Sequence, residues 1–489
     1  MNWQDIWRLA KSDYVKLVPI MALAFYLAFI PHLTYPYPVH IDEWVHMALS
    51  KAMLGAQDTT FIAPFLGQST LSISSNLEAG FHLFFGVFQS ISGISWIDIF
   101  RYFPSIVFMM TVLSVYIVAR RQGFGWEAAL LTCLIPTTVG ILGPAFLVPV
   151  AMGLLFIPLS LFVVFNSRTW WSCLALFLFT SFLLTIHAPS AICVAIILAP
   201  YVLLNFKGNF KHSLGLTLAL AIPFLAPFPW IFALLLPTAK SLLSPVYPAE
   251  YVTFPLVIKT YGYIPIALCL LGTFILWIRG ERNNHGLVLG LLAILAMLVV
   301  FFTLHRGVHI MYERGLMFMM LMASIVAGAG LMGIRKLRLP EWLSTWPNSD
   351  IVTKAVGIVS CVVLVALTFT IAIPNRQDDP YYLMIDGQDY QAFRWIEDNI
   401  GAGYEKAILD PWKATAFVAI TGKYVYTRIH AFPYPRDEEA YAFLRGGCTD
   451  TAFLKENGIS IVYTLGECNN PDLVEVENNV YLLRETELQ

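Results

Sequence analysis

Residues 286–304 read GLVLGLLAILAMLVVFFTL and contain no charged side chain. A helix needs about 20 mostly apolar residues to cross the hydrocarbon core of a bilayer, where it satisfies its backbone polar groups internally. The stretch therefore predicts a membrane-spanning helix. Comparable apolar runs recur near residues 15–33, 77–95, 97–119, 127–142, 146–165, 170–186, 189–206, 213–236, 262–279, 314–334 and 351–373.

The composition is typical of a polytopic α-helical membrane protein. Of the 489 residues, 58% are hydrophobic and only 13% are charged, which is too little polar surface for a water-soluble protein. The formal net charge of -2 argues against a nucleic-acid partner, because binding phosphate backbones requires an excess of Lys and Arg. Residues 1–16 lack the layout of a cleavable signal peptide, so the first apolar run is expected to remain as a helix.

Segment 77–95 decides the topology, because each crossing reverses the side of every later loop. Glu78, His82 and Gln89 interrupt its apolar residues, as in an amphipathic helix that lies in the membrane surface. If it does not cross, the basic clusters of the later loops fall on the same face as the basic N-terminus, which is the positive-inside pattern. We therefore predict about eleven spans, a cytoplasmic N-terminus and an extracytoplasmic C-terminus. A crossing by 77–95 is the alternative.

The stretch HIDEWVH at residues 40–46 follows the first span directly and places two carboxylates and two imidazoles at the membrane surface. Ionisable groups in such a position usually serve function. As a helix over 41–54, the stretch puts Asp42, Glu43 and His46 on its polar side, with His46 within reach of either acid. The alternative is that the acids only stabilise the positive end of the helix, by about 0.3–1 kcal/mol.

The composition becomes water-soluble after Pro374, which predicts a membrane domain over 1–374 and a small extracytoplasmic α/β domain over 375–489. Two cysteines of the second domain, Cys448 and Cys468, predict a disulfide in an oxidising compartment, with two free thiols as the alternative. The pattern predicts helices at 388–399, 412–420, 438–444 and 451–456, and strands at 406–409, 424–427, 459–463 and 473–483.

This arrangement resembles the GT-C glycosyltransferases, the superfamily of the oligosaccharyltransferase catalytic subunit, the protein O-mannosyltransferases and the lipid A aminoarabinose transferases. In these proteins an acidic residue opens the first outer loop and in-plane helices follow, as Asp42-Glu43, 41–54 and 77–95 do here. An Arg-x-x-Pro-Ser motif that begins the next span matches residues 101–105. A late outer loop leading into a span with an arginine resembles residues 312–315.

The resemblance implies an inverting hexosyl- or pentosyltransferase of cell-envelope glycans in the plasma membrane. Its donor would be a polyprenyl-phosphate sugar and its acceptor a hydroxyl on a lipid, a glycan or a protein, at the extracytoplasmic side. Direct displacement at the anomeric carbon needs a carboxylate base and a cation for the departing phosphate. Asp42 is the implied base, with Glu43 second, and the phosphate-binding candidates are Arg314, Arg306 and Arg101.

Six further side chains are predicted to line the outer cavity, although a histidine in such a turn can instead be a hydrogen-bonded structural group. They are His40, His46, Glu78, His187, His305 and His309. Residues 139–150 lack the acids that metal-dependent oligosaccharyltransferases carry in the second outer loop. We therefore predict no metal and no cofactor, with a divalent metal as the alternative. The Trp-Trp-Asp acceptor signature is also absent, which disfavours protein N-glycosylation.

Two other functions stay open at this point. An oligosaccharide transferase or polymerase would use a lipid-linked glycan through the same donor side. A lipid or sugar transporter (flippase) would carry charges in mid-membrane and interrupted helices in repeated halves, whereas the charges here lie mainly at loop ends. Gly328, Gly330 and Gly333 are predicted only to let helices approach closely.

Overall fold

The computed structural model describes residues 13–59, 63–66, 78–138, 140–166, 168–226, 260–305, 309–337, 349–430 and 433–484. Contacts divide the chain into two compact units. The first comprises Met1–Leu33 and Tyr102–Pro380, and the second comprises Thr34–Arg101 and Tyr381–Gln489.

The helices carry the following labels in chain order. They are α1 Asp13–Phe29, α2 Ile41–Ala56, α3 Ala79–Ser92, α4 Trp96–Arg120, α5 Gly125–Thr132, α6 Pro149–Asn166, α7 Trp170–Ile186, α8 Ala188–Asn205, α9 Phe210–Leu225, α10 Tyr263–Arg279, α11 Arg282–Leu304, α12 His309–Arg335, α13 Ser349–Gln377, α14 Gly387–Asn399, α15 Ala414–Thr421, α16 Pro435–Arg445 and α17 Thr451–Glu456. The strands are β1 Lys406–Ile408, β2 Tyr424–Val425, β3 Ile461–Tyr463, β4 Leu473–Glu477 and β5 Val480–Leu483.

The long apolar helices make the chain an integral membrane protein. Among the described residues, 7 helices are long and apolar enough to cross a bilayer, namely those at Tyr14–His32, Trp96–Arg120, Pro149–Asn166, Ala188–Asn205, Arg282–Leu304, Glu313–Arg335 and Ile351–Gln377. Shorter apolar helices lie at Trp170–Ile186, Phe210–Leu225 and Tyr263–Arg279. A helix lies within every span of the preferred topology except 127–142. Residues 227–236 of the predicted span 213–236 lie outside the described residues.

The prediction of a continuous helix over 127–142 is wrong. Helix α5 ends at Thr132, and the chain continues as a tight irregular segment to Val148. A Cβ added at Gly143 would lie 2.1 Å from the carbonyl oxygen of Pro136, so the two sides of this turn touch through their backbones. The described residues between 133 and 148 are nearly all buried, which is the condition under which non-helical backbone is tolerated at membrane depth.

Segment 77–95 forms the short helix α3, which has 14 residues. At about 1.5 Å per residue this helix is roughly 21 Å long, whereas the hydrocarbon core is about 30 Å thick. It is therefore too short to cross as a straight helix, as the preferred topology expected. Its buried side chains Phe81 and Phe85 pack on the side that faces α2.

Small residues hold the helices of the first unit together. A Cβ added at Gly272 in α10 would lie 2.0 Å from the carbonyl oxygen of Val326 in α12, and one at Gly330 would lie 2.0 Å from that of Leu268. The two helices thus touch through their backbones, as small residues allow in membranes. Gly328 makes a similar approach to Ala128, so the close packing expected of these glycines is confirmed.

The second unit contains a sheet with the strand order β2-β1-β3-β5-β4. Strand β1 pairs in parallel with β2 and β3, and β5 pairs antiparallel with β3 and β4. The predicted helices and strands are present, with one correction. The run 473–483 is a hairpin, because Asn479 adopts a left-handed conformation with φ 66° that reverses the chain.

The loop that follows α1, predicted to be the first outer loop, is built into this second unit. The Tyr35 hydroxyl donates to the Ile385 carbonyl at 2.7 Å, and the Tyr382 amide donates to the Val39 carbonyl at 3.0 Å. Helix α2 packs against α15. The boundary predicted at residue 374 falls inside α13, which continues to Gln377. The contacts thus group the loop with the C-terminal segment.

Cys448 and Cys468 lie side by side in the hydrophobic core of the C-terminal segment, as free thiols. Burial raises the pKa of the Cys448 thiol to about 12, and the neighbouring Cys468 adds to this shift. The Cys448 thiol is therefore unreactive while reduced, since the thiolate is the reactive form. A disulfide between them stays a prediction for an oxidising compartment.

A buried ion pair fixes α14 on the sheet. The Lys413 ammonium lies 2.7 Å from each carboxylate oxygen of Asp389, whose side chain is 1% exposed. The Tyr463 hydroxyl donates to the same carboxylate at 2.7 Å. The pair thus joins α14 to β3 and to the turn before α15.

We expect Lys413→Met to lower the free energy of unfolding of this unit by about 3 kcal/mol, because it leaves the buried Asp389 charge uncompensated. The measurement is chemical denaturation of the purified chain in detergent. Lys455→Met, at an exposed position of the same unit, is the control and should change stability by less than about 0.5 kcal/mol. Equal stability of the two variants would show that the buried pair contributes nothing.

Candidate active site around Asp42

The N-terminus of α2 is closed by a capping box. His40 is the N-cap residue, and its Nδ1 accepts a hydrogen bond from the Asp42 amide at 3.1 Å. The Glu43 carboxylate accepts from the amides of Val39 at 2.9 Å and His40 at 3.2 Å. The backbone amides of Val39, His40 and Asp42 thus each have a hydrogen-bond acceptor. Glu43 is 0% exposed and committed to the cap, so the geometry does not favour it as the second candidate base.

Asp42 presents its carboxylate to solvent, although it neighbours Glu43 in sequence. Consecutive residues of a helix diverge by about 100° around its axis. The Asp42 side chain is 25% exposed, and its Oδ1 lies 3.2 Å from Nε2 of His430. Its Oδ2 lies 3.8 Å from Nδ1 of His40. An accessible carboxylate that lies in hydrogen-bond distance of the His430 imidazole can accept a proton from a bound hydroxyl.

The C-terminal segment also places the Arg428 cation near Asp42. The Arg428 guanidinium stacks 3.7 Å above the ring centroid of Phe65. Burial lowers the pKa of Arg428 to about 10, while the charges of Tyr434 and Asp42 oppose that shift. Its Nη1 is buried and has no hydrogen-bond partner among the described residues. A guanidinium with an unused buried donor is suited to bind a phosphate or carboxylate oxygen.

Further predicted residues lie close to Asp42 on the same loop. His46 is one helical turn after Asp42, and its Nδ1 lies 3.1 Å from Nε2 of His82 and 3.8 Å from a carboxylate oxygen of Glu78. His82 and Glu78 belong to the start of α3. The loop after α1 thus contains Asp42, His40, His46 and Glu78, with His82 beside His46. The cavity-lining roles of these residues stay predictions. The three side chains of His46, Glu78 and His82 could hold a metal ion.

Two predicted histidines have structural positions in the first unit. His187 is buried at the start of α8, with its Nδ1 2.6 Å from the Ser190 hydroxyl. This is the hydrogen-bonded structural role that the sequence left open, and its burial does not favour a cavity-lining role. His305 ends α11 in a left-handed conformation with φ 49°.

The arginines predicted to bind phosphate lie apart in the chain. Arg314 is half-buried near the start of α12 in the first unit, and Arg101 is half-buried in the early part of α4. Arg306 lies outside the described residues, and so does the side chain of His309. Their phosphate-binding and cavity-lining roles stay predictions.

Arg428 and His430 were missed by reasoning from the sequence. They follow the predicted strand 424–427 immediately, as Arg-Ile-His at residues 428–430. Loops at strand ends often carry functional side chains, so a basic pair at such a place was a usable signal. Nothing in the sequence indicates that this basic pair lies beside Asp42, which is 388 positions before His430.

Comparison with solved structures decides the fold. The chain is similar to the oligosaccharyltransferase of Archaeoglobus fulgidus in the apo form, with a TM-score of 0.62 and 10% identity over 92% of this chain and 69% of that chain. It is also similar to ArnT from Cupriavidus metallidurans in the apo state, with a TM-score of 0.55 and 14% identity over 96% of this chain and 98% of that chain. A third similar structure is the arabinofuranosyltransferase AftD from Mycobacteria, with a TM-score of 0.58 and 15% identity over 94% of this chain and 37% of that chain.

The chain has the GT-C fold. The resemblance stated from the sequence is thereby confirmed at the level of fold. No protein-family model and no curated protein sequence matches the chain. AglB from Archaeoglobus fulgidus has also been solved with an inhibitory peptide and a dolichol-phosphate, and ArnT has been solved bound to undecaprenyl phosphate.

The neighbouring acids Asp42 and Glu43 at the start of α2 should respond differently to mutation. We expect Glu43→Ala to lower the free energy of unfolding by about 2 kcal/mol, because two backbone amides lose their buried acceptor. Asp42→Asn should change it by less than about 0.5 kcal/mol, because that side chain is partly exposed. Denaturation of both variants in detergent measures the difference. A larger loss for Asp42→Asn than for Glu43→Ala would contradict the assignment of the cap.

Proposed function

We propose that the protein is a glycosyltransferase that moves a sugar from a polyprenyl-phosphate donor to an acceptor hydroxyl, with Asp42 as the base. The observation that carries the proposal is the partly exposed carboxylate of Asp42, 3.2 Å from His430, at the start of the first-loop helix of a GT-C fold. The lipid phosphates bound by AglB and ArnT support a polyprenyl-phosphate carrier.

The reaction is a direct displacement at the anomeric carbon. The acceptor oxygen forms a bond to this carbon while the bond from the carbon to the phosphate oxygen breaks. The acceptor proton passes to the Asp42 carboxylate, and the electron pair of the broken bond leaves with the polyprenyl phosphate. Attack from the face opposite the departing phosphate inverts the sugar configuration. The displacement needs no metal, because cationic side chains can stabilise the negative charge that develops on the departing phosphate.

The residues around Asp42 have distinct roles in this reaction. The contact with His430 orients the carboxylate towards the acceptor. Arg428 binds the phosphate through its unused guanidinium donor, because a planar guanidinium matches phosphate oxygens. Arg314, Arg306 and Arg101 stay candidates for the same phosphate on the resemblance alone.

The proposed orientation places the second unit outside the cell and the N-terminus in the cytoplasm, in the plasma membrane. The basic loops between the later helices support it through the positive-inside pattern. The carrier lipid then remains in the membrane while its phosphate reaches Asp42. The expected products are glycosylated molecules of the cell envelope.

The test of the mechanism is transfer by Asp42→Asn. The purified variant is incubated with a polyprenyl-phosphate-linked hexose or pentose, and the released polyprenyl phosphate is quantified by mass spectrometry. We expect the rate to fall by about 10²–10⁴, which is the usual contribution of a general base. Asp398→Asn, at an exposed position of the same unit, is the control and should keep the rate. Unchanged release by Asp42→Asn would remove this carboxylate from the mechanism.

The orientation is tested with a membrane-impermeant maleimide on intact cells. Single cysteines replace Arg121 or Asp398 in a background that carries Cys448→Ser and Cys468→Ser. We expect Asp398→Cys to be labelled from outside and Arg121→Cys to be labelled only after the cells are opened. Labelling of both from outside would contradict the proposed topology.

A further inference from the structure

We infer that His46, Glu78 and His82 form a binding site for a divalent transition metal, zinc above all. The three side chains come from two different helices and meet at one point. His46 Nδ1 lies 3.1 Å from His82 Nε2 and 3.8 Å from Glu78 Oε2, and the three candidate ligand atoms all lie within 4.8 Å of one another. This site is separate from the proton acceptor of the proposed function.

The distances fit a tetrahedral ion. Zinc binds imidazole nitrogen at about 2.0–2.1 Å and carboxylate oxygen at about 2.0–2.2 Å, so its ligand atoms stand roughly 3.3 Å apart. The separation of the two imidazole nitrogens is already close to this value. The Glu78 oxygen lies 3.8 Å from His46 Nδ1 and within 4.8 Å of the His82 ligand atom, so a rotation of the Glu78 side chain is needed to bring it to this spacing from both rings.

The chemistry of the ligands selects the metal. Two imidazoles and one carboxylate make a set that binds zinc in proteins, whereas Mg²⁺ and Ca²⁺ prefer oxygen ligands. Three protein ligands leave one tetrahedral position for water or for an oxygen of a bound molecule. A divalent ion also neutralises the Glu78 carboxylate beside two neutral rings.

The surroundings favour a firmly held ion. His46 and His82 are 7% and 0% exposed, and the Phe81 ring stands edge-on to His46 with 5.1 Å between the ring centroids. Such an apolar shell limits the access of competing water. Glu78 is 25% exposed, so the ion can enter on the carboxylate side.

The position of the site suggests what the ion does. His46 belongs to α2, whereas Glu78 and His82 lie one turn apart at the start of α3. An ion at this point cross-links the two helices of the first outer loop. It would fix the helix that carries Asp42 one turn away. The pattern Glu-x-x-x-His at 78–82 is present in the sequence. The prediction of no metal rested instead on the lack of acids at residues 139–150.

The test measures metal content and spectrum on the full-length protein in detergent. We expect about one zinc ion per chain by mass spectrometry after dialysis against a trace of zinc chloride. After removal of the metal, added cobalt should give the visible absorption of a tetrahedral Co²⁺ site. His82→Gln and the more conservative Glu78→Gln should each weaken zinc binding by at least about tenfold. His285→Gln, at a half-buried histidine of the first unit, is the matched control and should keep zinc and the cobalt spectrum.

The result that overturns the inference is zinc binding of equal affinity in the protein, in Glu78→Gln and in His82→Gln. A chain that binds no zinc or cobalt at micromolar concentration overturns it as well. Asp42→Asn should retain the metal, so loss of sugar transfer in that variant and loss of zinc in Glu78→Gln are separate results. Added zinc should raise the unfolding temperature of the protein but not that of His82→Gln, because a ligand that binds only the folded state stabilises it.

Discussion

The carboxylate of Glu43 determines the arrangement at the start of α2, on which the candidate active site depends. It accepts the amides of Val39 and His40, so the chain that leaves the first membrane helix must enter α2 at a fixed angle. With Glu43 turned inward, Asp42 is directed about 100° away, towards solvent and His430. One acid thus supports the structure while its neighbour stays accessible to solvent.

The C-terminal segment completes this arrangement from the other end of the sequence. It contributes His430 and Arg428 beside Asp42, and α15 receives Lys51 of α2. The Lys51 ammonium donates to the carbonyls of Ala419 and Ile420 at 3.0 Å and 2.9 Å, near the C-terminus of α15 where carbonyls lack helical partners. It also pairs with Glu397 at 3.2 Å. The small α/β segment is therefore part of the candidate active site.

Local patterns in the sequence were enough for much of the fold. Apolar runs predicted the membrane helices, and the alternation of helices and strands after Pro374 predicted the sheet of the second unit. The run 127–142 misled because its hydrophobicity reflects burial, while Pro136 and Gly143 force an irregular backbone. The hairpin at Asn479 was missed because the residues on both sides of the turn have similar β propensity. Asp42, His46 and Glu78 could be named as candidates from the sequence because they cluster within one loop. Arg428 and His430 were not, because only tertiary contacts bring distant segments together.

The discontinuous second unit bears on how such a protein can change over generations. Thr34–Arg101 and Tyr381–Gln489 share hydrogen bonds, ion pairs and the candidate active site, although more than half of the chain separates them. A recombination that replaces the C-terminal part alone would set a foreign α15 against Lys51 and a foreign loop against Asp42. The two segments must therefore be inherited as a matched pair, whereas the intervening membrane helices are free to diverge without breaking those contacts.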